Sequence, residues 1–413
     1  MARRNAVLFL VYSAGFHIGL LGMLDVLVNF YFVSLGYQPD TIGLLQSLPR
    51  LAGFITSLPI GLLTNRIGTR RMLIISTIGC ALALILQLVP VLPMLVLSRF
   101  LFGLCYGAQQ IATSPQMIGM VEPGDRTRFF ALHNGISMAT MGIGSFMGGV
   151  VPGWIVGLSG SFVPAEWVSS ATTPYAYGAA TAVAAFMGLL CVLPLLWLPD
   201  VRPAEHEAAR EKRSAAGGGI PWRLLVWLSV PMITFGFTGG LTFPFFNLFW
   251  RTQFGLPDQN VGAILSIGWI GMGIIPLFGS ALEKRFGRAG GLGVTLTVAT
   301  VAFFGLGLLP ALPISIAFFV LAISFRNTMQ PLFQPLVLDT LPPHLHNVIS
   351  SVNMVMWNVG WFAATAMAGV LQTRLGFGVM MHIVAVGVAI TAVLVVAIFR
   401  RRELELKQSF AGG

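Results

Sequence analysis

Long apolar runs recur along this 413-residue chain and are separated by short polar segments. A run of about 20 apolar residues is long enough to cross the hydrocarbon core of a bilayer as an α-helix. Twelve such runs, numbered here as spans 1 to 12, lie near residues 6–35, 42–64, 72–91, 94–119, 131–157, 174–197, 222–250, 258–282, 291–310, 313–338, 348–373 and 377–399. They predict an all-α membrane protein with twelve transmembrane helices.

Composition excludes a soluble protein. Charged residues make up 9% of the chain and apolar residues 56%, whereas a soluble domain carries about 25% charged residues. The net charge of +10 does not indicate nucleic-acid binding, because the basic residues fall between spans rather than on one soluble face. The three cysteines all lie inside spans without metal-binding spacing, so we expect no metal and no cofactor.

Basic residues cluster on one side of the predicted membrane. They occur at the amino terminus, between spans 2 and 3, after span 4, after span 6, between spans 8 and 9, and after span 12. Because short cytoplasmic loops collect Lys and Arg, both termini are predicted to be cytoplasmic. The expected location is the plasma membrane, the inner membrane of a bacterial cell.

The two halves of the chain repeat. Residues 36–43 align with residues 255–262 at a shift of 219 residues. Duplication of a six-helix unit explains this shift, and parallel repeats of that kind place a substrate site at their interface. We predict two pseudo-symmetric six-helix bundles joined by a flexible cytoplasmic linker, with limits at 1–200 for the first bundle, 201–219 for the linker and 220–413 for the second bundle.

The segment between spans 2 and 3 carries the motif Gly-x3-Asn-Arg-x-Gly-x-Arg-Arg. It resembles the loop signature of the major facilitator superfamily, in which Asp usually stands where this chain has Asn65. We predict a tight loop over Gly61–Arg71, with an ordinary basic loop as the alternative. The 219-residue shift gives a degenerate second copy between spans 8 and 9. The resemblance implies a gating role, which Asn65 weakens, for Gly61, Asn65, Arg66, Gly68, Arg70, Arg71, Glu283, Arg285 and Gly287.

Span 4 adds a second point of resemblance, the pattern Arg-x3-Gly-x3-Gly that begins at Arg99. In the superfamily this pattern implies a buried arginine tied to proton coupling. The glycine-rich run of span 5 lacks the Gly-Pro pair that is usual in drug–proton antiporters, which disfavours a drug exporter. The resemblance covers essentially the whole chain and implies a cavity lined by spans 1, 2, 4, 5, 7, 8, 10 and 11.

Ionisable residues inside spans are costly to insert, so each is a functional candidate. At ~1.5 Å per residue, Asp25, Arg50 and Arg99 lie roughly 9–15 Å from the outer span ends and are expected to meet. We predict that Asp25 and Arg99 couple transport to protons, with His17 as a relay. A static ion pair and a packing histidine are the alternatives. His133 and His382 are the other ionisable histidines inside spans.

Three arginines inside spans against one acid predict a substrate with negative charge. Arginine remains protonated when it is buried, and an unpaired buried charge is costly. Arg326 is the best candidate ligand, with Gln330 one turn away to orient a carboxylate or phosphate. The further substrate candidates are Arg50, Tyr106, Gln110, Trp269, Asn353 and Trp357. Interhelical packing is an equal alternative for the last three.

The sequence therefore predicts a secondary active transporter, proton-coupled, that moves a small organic or amphipathic anion by alternating access. Efflux of drugs or lipids by proton antiport is the alternative, and a non-transporting membrane receptor or scaffold is a different class. No nucleotide-binding signature is present, and we expect no enzymatic activity. The expected partners are a small-molecule substrate, protons and the bilayer, with no nucleic acid, and the chain is expected to be a monomer.

Overall fold

The computed structural model describes residues 2–159, 162–164, 167, 170, 172–201, 221–342 and 345–411, and these residues contain helices and turns without strands. This confirms the predicted all-α class. The α-helices are Ala2–Phe16, Leu24–Ser34, Pro39–Ile67, Thr69–Gln87, Leu92–Met120, Arg126–Ser159, Pro174–Leu190, Trp222–Thr242, Phe246–Phe254, Asp258–Ile274, Gly279–Gly307, Leu312–Asn327, Met329–Asp339 and His346–Ala411.

Among the described residues, ten helices are long and apolar enough to cross a membrane. The longest of them, Val348–Phe399, contains both span 11 and span 12. Its backbone breaks at Gly376, where φ is +77°, and this break separates the two spans. The helix Pro39–Ile67 corresponds to span 2. Together these helices account for the twelve spans predicted from the sequence.

Among the described residues, spans 1, 7, 8 and 10 are irregular within the apolar region, and span 6 ends in the 3-10 turn Leu193–Trp197. Span 1 contains a π-helical segment, His17–Met23, and span 10 breaks at Thr328. Spans 7 and 8 contain the 3-10 turns Phe243–Phe245 and Ile275–Phe278, each with a proline that lacks the N–H group of a regular helix. Such irregular segments within helices often mark functional positions.

Backbone turns recur at the repeat shift of 219 residues. Gly36 and Gly255 both adopt positive φ, and so do Gly68 and Gly287. Glycine adopts these conformations without the steric cost that a Cβ atom would add. The same backbone solution at equivalent positions agrees with duplication of a six-helix unit.

The turn between spans 2 and 3 is shorter than the sequence predicted. The helix of span 2 continues to Ile67 and the next helix begins at Thr69, so only Gly68 lies outside a helix. The Gly68 amide still donates to the Thr64 carbonyl oxygen at 3.0 Å. The prediction of a loop over Gly61–Ile67 was therefore wrong, because helical hydrogen bonding persists up to the glycine.

The chain divides into two compact units. One unit comprises Met1–Ala204 with Pro244–Ile270, and the other comprises Glu205–Phe243 with Gly271–Gly413. The end of span 7 and much of span 8 thus pack within the first unit. Residues 202–219 of the predicted linker lie outside the described residues, and the bundle limits at 1–200 and 220–413 remain predictions.

Candidate functional site

The Asp25 carboxylate is the acidic centre of the first unit. Its Oδ2 atom accepts hydrogen bonds from the indole Nε1 of Trp269 at 2.8 Å and from the Ser145 hydroxyl at 3.2 Å. Both donors are neutral groups. Among the residues that the structure describes, no basic side chain forms an ion pair with Asp25.

Close contact between spans 1 and 5 brings Ser145 to Asp25. A Cβ atom added to Gly144 would lie 2.7 Å from the Cα atom of Gly22, so only glycine allows the backbones to approach this closely. Asp25 also follows the π-helical segment His17–Met23. A π turn contains more residues than an α turn and changes the rotation of every side chain after it.

A chain of side-chain amides, called here the amide chain, links four spans beside Asp25. Arg99 donates to Gln46 at 2.6 Å, Gln46 donates to Asn29 at 2.6 Å, and Asn29 donates to Asn247 at 2.9 Å. Asn247 completes the series by donating to the backbone carbonyl oxygen of Asp25 at 3.0 Å. A guanidinium only donates and a carbonyl only accepts, so the two ends fix the direction of every bond.

The amide chain corrects the expected pairing of Asp25 with Arg99. The described hydrogen bond of Arg99 goes to Gln46, and no described ion pair joins Arg99 to Asp25. Arg50 is half-buried on span 2 and interacts electrostatically with Tyr106 rather than with Asp25. The three ionisable residues share the first unit, but the structure does not bring them together in one ion-pair cluster.

A second group of polar side chains joins spans 1 and 5, closer to the amino terminus of each span than Asp25 and Ser145. It consists of Ser13, His17, His133 and Ser137 and is called here the histidine cluster. The Ser13 hydroxyl lies 2.9 Å from Nε2 of His133, 3.3 Å from Nδ1 of His17 and 3.4 Å from the Ser137 hydroxyl. Nδ1 of His17 also lies 2.7 Å from the Ser13 carbonyl oxygen, which requires a hydrogen on Nδ1. The two imidazole rings are 6.2 Å apart between centroids.

A polar clamp holds the start of span 8 against span 6. The Tyr177 hydroxyl donates to Asp258 at 2.5 Å, and Arg251 donates to the same hydroxyl at 3.0 Å. Arg251 is 3.8 Å from Asp258 and its guanidinium lies 4.5 Å from the centre of the Phe30 ring. Arg251 and Asp258 of this clamp border a cavity of about 600 Å³, together with Gly149, Thr172 and Gln259.

The first copy of the glycine-containing turn docks on the end of span 6. Arg70 donates through its backbone amide to Asp200 at 3.1 Å and through its guanidinium to the Leu198 carbonyl oxygen at 2.9 Å. Asp200 also lies 3.6 Å from the largely exposed Arg71. A carboxylate at a helix amino terminus is favourable, and here Asp200 occupies that position. The side chain of Asn65 lies outside the described part of the chain.

The second copy of the turn uses a different partner. Arg288 donates to Glu283 at 2.5 Å and forms an ion pair with Asp339 at the end of span 10. Arg285 lies 5.4 Å from the centre of the Phe286 ring. Glu283 thus contacts Arg288 within its own copy of the motif.

Arg326 is the basic centre of the second unit. It is 2% exposed, donates to the Thr238 hydroxyl at 3.2 Å and donates to the Phe235 carbonyl oxygen. Its guanidinium lies 4.0 Å from the centre of the Phe235 ring and 5.5 Å from that of Phe243. Trp361 packs against Phe243 at 5.8 Å.

These contacts show that Arg326, one of three arginines set against a single acid within the spans, has neutral partners in its own unit. A hydroxyl, a carbonyl oxygen and two aromatic faces offset part of the cost of burying its charge. Gln330 is exposed and follows the helix break at Thr328, and no described hydrogen bond joins it to Arg326. The structure therefore does not show Gln330 in the orienting role predicted for it.

The remaining substrate candidates fall into three settings. Gln110 donates to the Tyr106 hydroxyl at 2.7 Å, so these two residues act together on span 4. Asn353 is 3% exposed, and neither atom of its amide has a hydrogen-bond partner among the described residues. Trp357 packs edge-on against Trp361 at 5.3 Å, and Trp269 is the Asp25 donor.

Sequence reasoning missed the two asparagines of the amide chain. Asn29 and Asn247 are 218 residues apart, one short of the repeat shift, and Asn29 lies one helical turn after Asp25. That placement was a usable signal. Tyr177, Arg251 and Asp258 gave no comparable signal, because they lie near span ends where polar residues are ordinary.

Residues 10–365 match the family model described as the Major Facilitator Superfamily. One curated relative, the niacin transporter NiaP of Acinetobacter baylyi, is 28% identical over 113 residues. The aligned part is 27% of this chain and 26% of that transporter, so the chain matches about a quarter of the relative's length.

Solved structures of three transporters resemble the whole chain. A bacterial homologue of the human lysosomal transporter Spinster has a TM-score of 0.74 at 13% identity, with 96% of each chain covered. The xylose transporter XylE from E. coli has a TM-score of 0.70 at 13% identity, covering 96% of this chain and 95% of that one. The nucleoside transporter NupG has a TM-score of 0.69 at 17% identity, covering 96% and 98%. These likenesses show the fold, two six-helix bundles with twelve transmembrane helices.

Proposed function

The chain belongs to the major facilitator superfamily, and from this premise we propose that it is a proton-coupled secondary transporter of a small organic anion. Transport proceeds by alternating access between the two sides of the membrane. The structural neighbours of the chain are transporters rather than enzymes. The inner membrane is the proposed location of this multi-pass protein, with both termini cytoplasmic and one chain as the working unit.

The observation that carries proton coupling is the environment of Asp25. Its carboxylate is held by the neutral donors Trp269 and Ser145, without an ion pair among the described residues. An acid within a membrane is costly when charged. Because no fixed cation holds Asp25 in the ionised form, the carboxyl group can take up and release one proton in each cycle.

Two buried arginines support an anionic substrate. Arg99 and Arg326 keep their charge at all physiological pH values, and their described hydrogen bonds go to neutral groups. The described hydrogen bonds of Arg326 use Nε and Nη2, and none of them uses Nη1. A carboxylate there would gain a charge-assisted hydrogen bond. Niacin, the substrate in the name of the partly matching relative, is an aromatic carboxylate and a reasonable first ligand to test.

Efflux of amphipathic drugs or lipids is the second candidate function. Phe235, Phe243 and Trp361 form an aromatic surface around Arg326. Aromatic faces also bind cations, so this surface is compatible with a lipophilic cation. The arginine in its centre favours the anion, because it would repel a second positive charge.

Both copies of the glycine-containing turn have a proposed gating role. Each turn attaches through basic residues to the end of another span, at Asp200 in one copy and at Asp339 in the other. Attachments of this kind can be made and broken as spans move, because each rests on a few polar contacts at span ends.

The experiment is a ligand screen followed by flux in proteoliposomes. Purified protein is heated with aromatic monocarboxylates, including niacin, or with tetraphenylphosphonium, since a ligand that binds the folded state raises its stability. We expect stabilisation by a carboxylate and uptake that follows an imposed pH gradient. Stabilisation by the cation alone would favour drug efflux. Carboxylate binding without flux would favour a receptor or scaffold.

A further inference from the structure

The histidine cluster lies apart from the acidic centre but on the same two spans. Ser13 and His17 are on span 1, and His133 is on span 5. His133 comes seven residues after Arg126, where the helix of span 5 begins, which is about 10 Å of helix. Asp25 comes eight residues after His17 on span 1, and the π-helical segment His17–Met23 covers most of that interval. The cluster therefore lies between the basic end of span 5 and the acid.

The groups in this cluster differ chemically from those of the amide chain. Imidazole and hydroxyl groups both donate and accept hydrogen bonds, so they can pass a proton by exchanging bonds. Amide groups keep their hydrogens, and Arg99 stays protonated. Of the amide chain and the histidine cluster, only the histidine cluster consists of groups that can conduct protons.

The cluster has room for one additional proton. The two imidazole rings are 6.2 Å apart, and His133 experiences the charge of His17, so protonation of one ring opposes protonation of the other. The titratable groups at this level of span 1 are Tyr12 on that span, Tyr106 of span 4, which stacks on Phe16, and Cys191 of span 6, which lies against Gly15. Phenols and thiols stay neutral near pH 7. Arg50, which interacts electrostatically with Tyr106, carries the fixed charge of this region.

We propose that Ser13, His17 and His133 form an inner proton relay that loads and discharges Asp25 on the cytoplasmic side. This inference rests on the proposed proton coupling. The proton leaves the Asp25 carboxyl group and reaches Nε2 of His17 through water. Nδ1 of His17 then gives its hydrogen to the Ser13 hydroxyl, which passes its own hydrogen to Nε2 of His133. The His133 ring releases the proton from Nδ1 to cytoplasmic water.

Packing explains why the relay ends at the cluster instead of continuing along the contact between the spans. Gly22 and Gly144 bring the backbones of spans 1 and 5 together between the two levels. Water enters there only when the spans separate. The π-helical segment His17–Met23 occupies the same interval, which is where span 1 would bend during that separation.

The test compares two activities of the same protein in proteoliposomes. Proton-driven uptake of the carboxylate identified by the screen requires net proton movement, whereas exchange of that carboxylate across the membrane does not. We expect His133→Gln to slow uptake by about tenfold or more and to leave exchange within about twofold. Imidazole in the internal buffer should restore much of the lost uptake. Ser13→Ala should also slow uptake and leave exchange unchanged, although it removes neither imidazole ring.

His382→Gln is the matched control, because His382 is a histidine within span 12 that packs against Phe304. It should leave both activities unchanged. Equal losses of uptake and exchange in both relay variants, without rescue by imidazole, would make the cluster a structural contact and overturn the relay. Normal uptake in His133→Gln and Ser13→Ala, with uptake lost in Asp25→Asn, would also overturn it while leaving proton coupling intact. Normal uptake in Asp25→Asn would instead refute the proposed coupling.

Discussion

The two units contain buried charges of opposite sign in different kinds of environment. In the first unit, Asp25 receives hydrogen bonds from an indole and a hydroxyl. In the second unit, Arg326 donates to a hydroxyl and a carbonyl oxygen and lies between aromatic faces. Neither group has an ion-pair partner among the described residues. Besides Arg99 of the first unit, whose described hydrogen bond goes to Gln46, the first unit thus keeps an acid and the second a guanidinium without a described ion-pair partner.

The difference suggests a division of roles. A carboxyl group can lose its charge by binding a proton, but a guanidinium cannot. The first unit therefore has a group that can respond to proton concentration, and the second has a permanent positive charge that an anion can neutralise. The following predictions test this division by changing one centre at a time.

Substitution of Arg326 should have the largest effect on binding. Loss of one partner from a buried charge pair costs about 2–5 kcal/mol, so Arg326→Gln should raise the Kd of the carboxylate by roughly 30-fold or more. Arg326→Lys keeps the charge but not the planar guanidinium, so its Kd should lie between those of the unchanged protein and Arg326→Gln. Isothermal titration with purified protein measures both. Unchanged affinity in Arg326→Gln would remove the second unit from anion recognition.

Substitution of Gln46 should have its main effect on stability. Gln46→Leu leaves a donor of Arg99 and the acceptor of Asn29 without partners, at about 1–3 kcal/mol for each buried group. The thermal unfolding midpoint in detergent should fall. Gln110→Leu is the control, since Gln110 is exposed and bonded only to Tyr106 in the described contacts. An equal fall of the unfolding midpoint in both variants would show that the amide chain does not stabilise the fold.

Changes in the glycine-containing turns should have the smallest effect. An ion pair with an exposed partner contributes about 0–1 kcal/mol, and Asn keeps an acceptor oxygen, so Asp200→Asn and Asp339→Asn should each change stability by less than about 1 kcal/mol. Flux in proteoliposomes should change more than Kd, because these contacts hold span ends rather than substrate. Altered affinity with unchanged flux would contradict the gating role. Asn65→Asp, expected to shift the inward–outward balance, remains a prediction.

The fold could be predicted from the sequence because its cause is simple and repeated. Apolar runs of bilayer length require helices, and the 219-residue shift placed Gly36 and Gly68 opposite Gly255 and Gly287, which take the same positive φ. The candidate charges were also identifiable, since an ionisable residue within an apolar run stands out from one sequence alone.

The partners of those charges could not be predicted. The expected meeting of Asp25 with Arg99 rested on depth along regular helices, and depth does not fix how each span is rotated. The π-helical segment before Asp25 changes that rotation on span 1. The amide chain further depends on the rotation of four spans about their axes. Thr238 and the Phe235 carbonyl oxygen, which hold Arg326, belong to a span 88 or more residues away and include a backbone atom that no sequence pattern marks.

Proton coupling through Asp25 is the central claim, and paired uptake and exchange assays on Asp25→Asn test it directly. Asn keeps the size and an acceptor for Trp269 and Ser145 but does not titrate. Uptake driven by an imposed pH gradient should fall to the level of passive equilibration, while exchange of the carboxylate across the membrane continues. Accumulation of the carboxylate by Asp25→Asn against its gradient, with the normal dependence on pH, would contradict the account.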